Sequence, residues 1–311
     1  MIDPRDISLI GVPTDVGGAH PGCSMAPEAL RVAGIDVALR RLGHRVTDMG
    51  NVAGPPNPKA APVDGYRHLD EVRQWCRATR DLVYESLAAG RLPITMGGDH
   101  SVTIGSIAGI ARWCAKQQRP LSLLWLDAHA DFNTPDTSPS GNIHGMPVAI
   151  VAGQGPRTLV SLAAVVPMVQ PSRILQVGLR SIDQSEKPLV QASGVQIFDM
   201  RQVDESGIRH VMDTVLDQLS GLGGHVHVSL DADFLDPAVA PGVAVPVPGG
   251  PTYREAQLCM EMIYDSGLMG SLDLMEVNPA YDDRNRTATV MVELVASLFG
   301  QQILSRRQVV Y

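Results

Sequence analysis

The sequence predicts an α/β fold: a single-domain, three-layer α/β/α arrangement in which helices cover both faces of a mostly parallel sheet. Two patterns lead to this prediction. Short, continuously apolar runs of β-favouring residues recur along the chain, as in buried parallel strands. Between most of them lie segments whose apolar residues recur at three- and four-residue spacing, which is typical of helices. With 44% hydrophobic and 19% charged residues, the chain can form one large core, and we expect one domain over residues 1–311.

Each element is bounded by Gly, Pro or polar residues. The predicted strands are Ile7–Val12, Leu92–Met96, Leu121–Leu126, Ile174–Val177, Val195–Phe198, His225–Leu230 and Ser271–Met275. The predicted helices are Pro27–Arg41, Leu69–Ala89, Ile104–Lys116, Ile208–Leu219, Tyr253–Ser266 and Arg286–Leu304. The Gly/Pro-rich stretch Asn51–Asp64 is predicted to be a surface excursion, and no other segment is long and polar enough to be an interdomain linker.

Charge and composition exclude several classes of function. The formal net charge is −8, and no Lys/Arg cluster forms a stripe that could neutralise a phosphate backbone, so nucleic acid is not an expected partner. No apolar run reaches membrane-spanning length, and the first residues lack the order of a secretory signal. The four cysteines lie far apart without a CxxC spacing, which favours a reduced, cytoplasmic protein.

Polar motifs follow three of the predicted strands. They are Gly97–Ser101 (GGDHS), Asp127–Asp131 (DAHAD) and Asp231–Asp233 (DAD). Ligands of open parallel sheets bind beyond the carboxyl ends of the strands, so these motifs are expected to meet in one crevice. The period of two in a strand would project the alternating ionisable residues to one side, and the two glycines before His100 would permit a tight turn.

Together the motifs supply four carboxylates and two imidazoles. They are His100, Asp127, His129, Asp131, Asp231 and Asp233. Four neighbouring negative charges would repel strongly in a crevice of low dielectric, whereas two divalent cations would cancel them and could make bound water acidic. Carboxylate-rich ligation favours Mn²⁺ over a thiolate-seeking ion, while nickel, cobalt and iron(II) could take similar ligands.

Each motif also has an interpretation without a metal. A single DxD is usually a turn or a solvated pair, and GGDHS could be a helix entry capped by Asp99 or Ser101. The DAHAD motif is harder to explain in this way, because three ionisable groups after the apolar strand Leu121–Leu126 would be costly to bury. The combination of all three favours a metal site.

These residues resemble the ureohydrolase family, which comprises arginases, agmatinases and related amidinohydrolases, and most closely its arginase branch. The resemblance covers nearly the whole chain. The matching segments are Ile10–Pro13, Gly97–Ser101, Asp127–Asp131, Ser229–Pro237, Gly249–Gly250 and Met275–Pro279. It implies an arginase-like fold, with one α/β domain around a parallel sheet of about eight strands.

The resemblance implies a hydrolase of linear amidines with two Mn²⁺ ions per subunit, held by the six residues given above. It makes Glu276 the residue that orients the guanidinium, since a carboxylate can accept two parallel N–H bonds. It makes His144 a proton shuttle to the departing amine, and Asp131 both a ligand and a catalytic residue. The implied reaction is hydrolysis of L-arginine to L-ornithine and urea. The six other histidines, which belong to no motif, are His20, His44, His68, His210, His225 and His227.

The loop Asn133–Pro147 resembles the arginase segment that holds the amino-acid end of the substrate. The implied contacts are Asn133, Ser138, Ser140 and Asn142 for the α-carboxylate, Asp183 for the α-ammonium group, and also Glu186. Neutral donors suit a carboxylate and an anion suits an ammonium group. Taken alone, the loop has the composition of an ordinary polar turn.

The chain departs from the arginase pattern in three places. Ser181 stands where an acid is common, Ala244-Val245 replaces a common Gly-Thr, and Ala130 replaces Gly or Thr. The first two leave the substrate's tail open, so the alternatives are an amidinohydrolase of agmatine, a guanidino acid or hydroxyarginine and, from a different class, a non-catalytic metal-binding or assembly protein. The family also implies a homotrimer or homohexamer with a small guanidino substrate as its partner.

Overall fold

The computed structural model describes residues 4–304, which contain one sheet of eight parallel strands. The strands are β1 Asp6–Val12, β2 Arg45–Asn51, β3 Leu92–Gly97, β4 Leu121–Leu126, β5 Ile174–Leu179, β6 Gln196–Asp199, β7 His225–Asp231 and β8 Met269–Met275. Their order across the sheet is β2-β1-β3-β8-β7-β4-β5-β6. The predicted α/β fold with its parallel sheet is confirmed, and the three strands followed by polar motifs lie near its centre.

Helices cover both faces of this sheet. They are α1 Ala26–Val32, α2 Ile35–Arg41, α3 Leu69–Ala88, α4 Thr103–Lys116, α5 Pro147–Val151, α6 Arg157–Val160, α7 Lys187–Ser193, α8 Met200–Ser206, α9 Ile208–Leu222, α10 Tyr253–Ser266 and α11 Arg286–Leu298. Between residues 4 and 304, none of the helices combines the length and apolar character required to cross a membrane.

Two apolar clusters lie on the two faces of the sheet, and β4 contributes to both. Leu124 and Leu126 pack in the cluster that contains α9, α10 and α11. Leu123 and Trp125 pack in the cluster that contains α3 and α4. Because successive side chains of a strand point to opposite faces, a strand buried on both sides is apolar throughout, as its sequence indicated.

Three predictions about elements were wrong. Strand β2 was not predicted, because it is an edge strand in which Val46 alone is buried, so it has no apolar run. The single helix predicted over Pro27–Arg41 is two helices, since Gly34 between them takes a left-handed conformation with φ 85°. The last helix ends at Leu298 and not at Leu304, before Gly300 with φ 100°.

The short helices α5 to α8 also went unpredicted. They have 5, 4, 7 and 7 residues, so none completes more than about two turns. A pattern of apolar residues at three- and four-residue spacing cannot be recognised over so short a length. Of these helices, α8 packs beside β5 and β6 at one edge of the sheet, and α5 packs beside α4.

Candidate metal centre

All six predicted metal ligands lie at the carboxyl ends of central strands. His100 begins a 3₁₀ turn just after β3, and Asp127 directly follows β4. Asp231 is the last residue of β7, and Asp233 lies in the 3₁₀ turn that follows it. Since β3, β8, β7 and β4 are neighbours in the sheet, their ends bring the three sequence motifs together.

The two glycines before His100 allow backbones to approach closely. A Cβ on Gly98 would lie 2.0 Å from the carbonyl oxygen of Thr14, and one on Gly97 would lie 2.1 Å from Met275 Sδ. Neither glycine has a positive φ, so close packing, and not the tight turn expected from the sequence, explains them. Asp99 caps the following turn, because its carboxylate accepts hydrogen bonds from the N–H groups of Ser101 and Gly17.

The segment after β4 is not the regular strand assumed in the sequence analysis. Strand β4 ends at Leu126, His129 forms only an isolated bridge with Ser181, and Asp131 has a positive φ of 50°. The carboxylate of Asp127 instead accepts a hydrogen bond from the N–H of His129 at 2.7 Å. The three ionisable side chains therefore converge through an irregular turn, and strand alternation was the wrong reason for a correct expectation of proximity.

The ligand atoms form two sets that share Asp127. His100, Asp127 and Asp231 compose one set, and Asp127, His129 and Asp233 compose the other, with all ligand atoms of each set within 4.8 Å of one another. Asp131 belongs to neither set, but its Oδ2 lies 3.4 Å from His100 Nδ1. One carboxylate between two clusters is an arrangement that can bridge two cations.

The centre contains more carboxylates than imidazoles, and their burial and mutual repulsion favour the binding of positive charge. Burial raises the pKa of Asp131, Asp231 and Asp233, and the negative charge of neighbouring carboxylates raises it further. Burial opposes protonation of the two imidazoles, but the carboxylates outweigh it and raise the pKa of His100 to about 9 and of His129 to about 12. The group therefore attracts protons strongly, as it would attract cations.

One buried nitrogen tests whether a cation fits. His100 Nδ1 lies 2.8 Å from Asp231 Oδ2 and 3.1 Å from Asp127 Oδ2, yet no contact within residues 4–304 gives it hydrogen-bond geometry. A nitrogen surrounded by carboxylate oxygens with no hydrogen bond among them has the surroundings of a metal ligand. The residues therefore fit a hard divalent cation.

Two further side chains, which the sequence did not reveal, hold these ligands in place. The Trp125 indole stacks on the His100 ring at 4.1 Å, and its Nε1–H donates a hydrogen bond to Asp127 Oδ2 at 2.8 Å. Ser229 Oγ lies 2.9 Å from His100 Nε2. Such partners fix the orientation of ligands. Their only sequence signal was their place in strands that end in ligands.

Glu276 and His144 form a pair beside the two ligand sets. Glu276 follows β8 with a positive φ of 60°, and its Oε1 lies 3.2 Å from His144 Nδ1. Burial disfavours the imidazolium, but the hydrogen bond to Glu276 and its charge outweigh this effect and raise the pKa of His144. The same contact outweighs burial and lowers the pKa of Glu276. The geometry favours an imidazolium–carboxylate pair.

A network of hydrogen bonds links the predicted tail-binding residues. Asp183 Oδ2 accepts a hydrogen bond from Asn133 Nδ2 at 3.0 Å. Glu186 accepts the N–H groups of Phe132 at 2.7 Å and of Asp183 at 3.2 Å, one with each carboxylate oxygen. Glu186 thus supports the backbone on both sides of the Asn133–Asp183 contact.

The serine hydroxyls of the loop Asn133–Pro147 accept hydrogen bonds within the loop and keep their own protons free to donate. Ser138 Oγ accepts the N–H of Gly141 at 2.9 Å, and Ser140 Oγ accepts that of Asn142 at 3.2 Å. Each hydroxyl can still donate its O–H. The loop therefore offers neutral donors, which suit a carboxylate.

A cavity of about 230 Å³ joins these groups. Every predicted site residue lines it except Asp127, which is buried behind the others. Its wall contains both the members of the metal-ligand sets other than Asp127, with the Glu276–His144 pair, and the residues of the Asn133–Asp183 network. Ser181 and Val245, two of the departures from the arginase pattern, also line it.

Comparisons with known proteins agree with this geometry. The arginase family model matches residues 5–300. The arginase of Agrobacterium fabrum is 43% identical over 304 residues, covering 97% of this chain and 93% of the relative. The crystal structure of Bacillus caldovelox arginase aligns with a TM-score of 0.92 at 39% identity, covering 96% of this chain and 100% of that one.

The structure of a third relative was solved with a bound ligand. The arginase of Entamoeba histolytica, solved in complex with L-ornithine, aligns with a TM-score of 0.88 at 30% identity, covering 96% of this chain and 100% of that one. Metal dependence is typical of this family. The match of the family model along nearly the whole sequence, together with these relatives, shows that the chain belongs to the arginase family and is a hydrolase that acts on a guanidino group.

Proposed function

We propose that this chain hydrolyses L-arginine to L-ornithine and urea with two Mn²⁺ ions per subunit. One observation carries the proposal: the wall of a single cavity combines cation-binding residues with polar residues suited to an amino acid. Arginine has the matching chemistry, since it carries a guanidinium at one end and both an ammonium group and a carboxylate at the other. The L-ornithine in the Entamoeba relative supports this choice of product.

The metal would be held by the two ligand sets, with Asp131 beside them. Divalent cations, when bound, lower the pKa of water and so supply a nucleophile at neutral pH. Manganese suits this set because four of the six ligands are carboxylates and none is a thiolate. Asp131 lines the cavity and would accept a hydrogen bond from the attacking water.

Glu276 and His144 would act on the substrate itself. The Glu276 carboxylate is buried, carries a lowered pKa and lines the cavity, so it can bind the cationic guanidinium and turn its central carbon towards the nucleophile. His144 Nδ1 is engaged with Glu276, which leaves Nε2 as the ring nitrogen able to give a proton to the departing amine.

The other region of the cavity would select the amino-acid tail. Asp183 would bind the α-ammonium group, and Asn133 would fix the Asp183 carboxylate through the 3.0 Å contact. Ser138, Ser140 and Asn142 would meet the α-carboxylate directly or through water, because hydroxyls and amides are neutral donors. Glu186 would line the same region and hold the backbone of Phe132 and Asp183 through its two N–H contacts.

Urea release by the Mn²⁺-loaded protein from arginine, agmatine and 4-guanidinobutyrate tests the proposal. Agmatine lacks the α-carboxylate, and guanidinobutyrate lacks the α-ammonium group and one methylene of the chain. We expect kcat/KM to be highest for arginine. Faster hydrolysis of agmatine or guanidinobutyrate would overturn the substrate, and no urea from any of the three would favour the non-catalytic alternative.

Two variants separate the two halves of tail recognition. Asp183→Ala should reduce the preference for arginine over guanidinobutyrate by about tenfold to a hundredfold, while the preference over agmatine changes less. Ser138→Ala is the matched variant, and it should reduce mainly the preference over agmatine. Equal loss on all three substrates in both variants would contradict the proposed assignment.

We also propose a homotrimer or homohexamer in the cytoplasm, as the family resemblance implied. Light scattering coupled to gel filtration measures the mass of the assembly. A monomer would contradict this part of the proposal without affecting the chemistry.

A further inference from the structure

Cys23 meets the carboxylate of Glu276 although 253 residues separate them in the chain. Its side chain is 1% exposed, and Sγ lies 3.2 Å from Glu276 Oε2. The other three cysteines are also buried and free. Cys23 differs from them because its thiol contacts a carboxylate that lines the cavity.

The two oxygens of Glu276 have different numbers of donors. Oε1 accepts the backbone N–H of His100 at 2.8 Å and lies 3.2 Å from His144 Nδ1. For Oε2, the Cys23 thiol is the one donor found within residues 4–304. A carboxylate oxygen has room for about two hydrogen bonds. Oε1 is therefore full, and Oε2 has room for one more.

This count changes how a guanidinium can bind. Two parallel N–H bonds, as expected from the sequence, need a free acceptor position on each oxygen. The bonds from His100 and His144 occupy Oε1, so a single N–H bond to Oε2 fits the geometry better. The direction of the free position on Oε2 then decides how the guanidinium faces the metal ligands.

The turn that carries Cys23 is tied to the chain next to Glu276. Asn278 Nδ2 donates to the carbonyl of Pro21 at 3.3 Å, and a Cβ on Gly22 would lie 2.1 Å from Asn278 Oδ1. Asp15 Oδ2 accepts the N–H of Gly22 at 2.9 Å. These contacts fix the thiol relative to Glu276 independently of the thiol's own hydrogen bond.

From this geometry we propose that Cys23 is a positioning residue. Its S–H group donates a hydrogen bond to Glu276 Oε2, and this bond keeps the remaining acceptor position of Oε2 facing the substrate guanidinium. The inference rests on the proposed hydrolysis of a guanidino substrate. A thiol suits the task because it is a weak donor and leaves most of the charge of Oε2 for the substrate. Burial and the negative charge of Glu276 raise the pKa of the thiol, so it keeps its proton.

Kinetics of Cys23→Ala and Cys23→Ser, with Cys259→Ala as control, test this role. Loss of the donor in Cys23→Ala should lower kcat/KM for arginine about fivefold to tenfold, mostly through kcat. Cys23→Ser keeps a donor and should stay within about threefold of the wild type. Cys259 is a fully buried thiol of α10 away from the cavity, and its replacement should change kcat/KM by less than about twofold.

The manganese content of all variants should equal that of the wild type. Equal losses in Cys23→Ala and Cys23→Ser would indicate a packing role and overturn the inference. A Cys23→Ala variant with the same kcat/KM as an active wild type would also overturn the inference.

Infrared spectroscopy gives a readout that needs no turnover. The S–H stretching band of Cys23 is isolated as the difference between wild type and Cys23→Ala. We expect this band to shift when guanidinium ion is added to the metal-loaded protein, because the ion shares Oε2 with the thiol. A band that guanidinium leaves unchanged would overturn the inference, even if the wild type released no urea and the proposed function had failed.

Discussion

Two clusters of buried polar groups near the centre of the sheet differ in how their charges are balanced. The candidate metal centre, with its four aspartates and two histidines, lies at the carboxyl ends of β3, β4 and β7. Further back along β7 and β8 lies a second cluster, which we call the inner network. Its members are His225, His227, Ser271, Asp273 and, from α4, Ser106.

The inner network contains fewer carboxylates for its imidazoles, although His227 Nε2, like His100 Nδ1, has no contact of hydrogen-bond geometry within residues 4–304. Ser271 Oγ lies 2.9 Å from His225 Nε2 and 3.0 Å from His227 Nδ1. Asp273 accepts a hydrogen bond from Ser106 and has His227 Nε2 at 3.2 Å. Here one carboxylate, beside His227, accompanies two imidazoles, whereas four accompany two at the metal centre. The excess of carboxylates therefore distinguishes the metal centre from the inner network.

Removing a metal ligand should have the largest effect of the changes considered, on both bound manganese and kcat. Asp127→Ala and Asp231→Ala should each lose bound manganese and lower kcat about a thousandfold or more, because each removes charge that holds the ions. Metal per subunit after gel filtration and urea release measure the two effects. Asp273→Asn is the control, since it alters an equally buried aspartate yet should keep the metal. Full manganese content in either alanine variant would contradict the proposed centre.

Replacing His144 should separate catalysis from metal binding. His144→Ala should keep the manganese and lower kcat about a hundredfold, because it removes the proton donor to the leaving amine. The measurement is kcat as a function of pH for variant and wild type. An unchanged kcat across the pH range would remove the proposed role of this residue.

In the metal-free protein, a substitution in the inner network should lower the free energy of unfolding more than a substitution in the metal centre does. Asp273→Ala should lower the free energy of unfolding by about 2 kcal/mol, because it leaves the buried Ser106 hydroxyl without this acceptor and removes the carboxylate beside His227. Asp231→Ala should cost about 1 kcal/mol or less in the metal-free protein, since it also relieves repulsion among carboxylates. Urea unfolding of both variants measures these values, and a larger loss for Asp231→Ala would reverse the comparison.

The pH dependence of the free energy of unfolding should reveal the burial of His225 in the inner network. Burial, with smaller contributions from the charges of His227 and Arg119, lowers the pKa of His225 to about 3. The unfolded chain, with an ordinary histidine pKa of about 6.5, binds the proton first. The titration of His225 therefore leaves the free energy of unfolding unchanged above about pH 6.5 and lowers it by about 1.4 kcal/mol per pH unit as the pH drops towards 3.

His225→Gln should remove this part of the pH dependence. Urea unfolding at pH 7, 6 and 5 gives the slope for variant and wild type. Identical slopes would show that His225 is not buried in its neutral form.

Much of the fold could be predicted because its signals are local. Seven of the eight strands appear as apolar runs, and six of these are buried along nearly their whole length, the edge strand β6 being only half-buried. The edge strand β2 gave no such signal, because Val46 alone is buried. The candidate site was predictable for a similar reason: DAHAD and DAD stand directly after the strands that position them.

Other histidines show where local signals fail. His44 Nδ1 accepts the N–H of Arg5 at 3.1 Å, and its Nε2 lies 3.1 Å from the carbonyl of Phe299. His68 has backbone partners on both ring nitrogens, with Val16 and Ala60. Both rings have hydrogen-bond partners in the backbone, and no motif around these two histidines in the sequence indicated those partners.

The sequence by itself determined which chemical groups stand at the ends of the strands, because strand periodicity and the polar residues that end a strand are properties of neighbouring residues. Only the tertiary structure decided how charges balance, since that depends on groups brought together from distant parts of the chain. Asp273 meets Ser106 across 167 residues, and Glu276 meets Cys23 across 253. A local pattern carries no record of such partners, and they decide whether a buried polar group completes the core or binds a ligand.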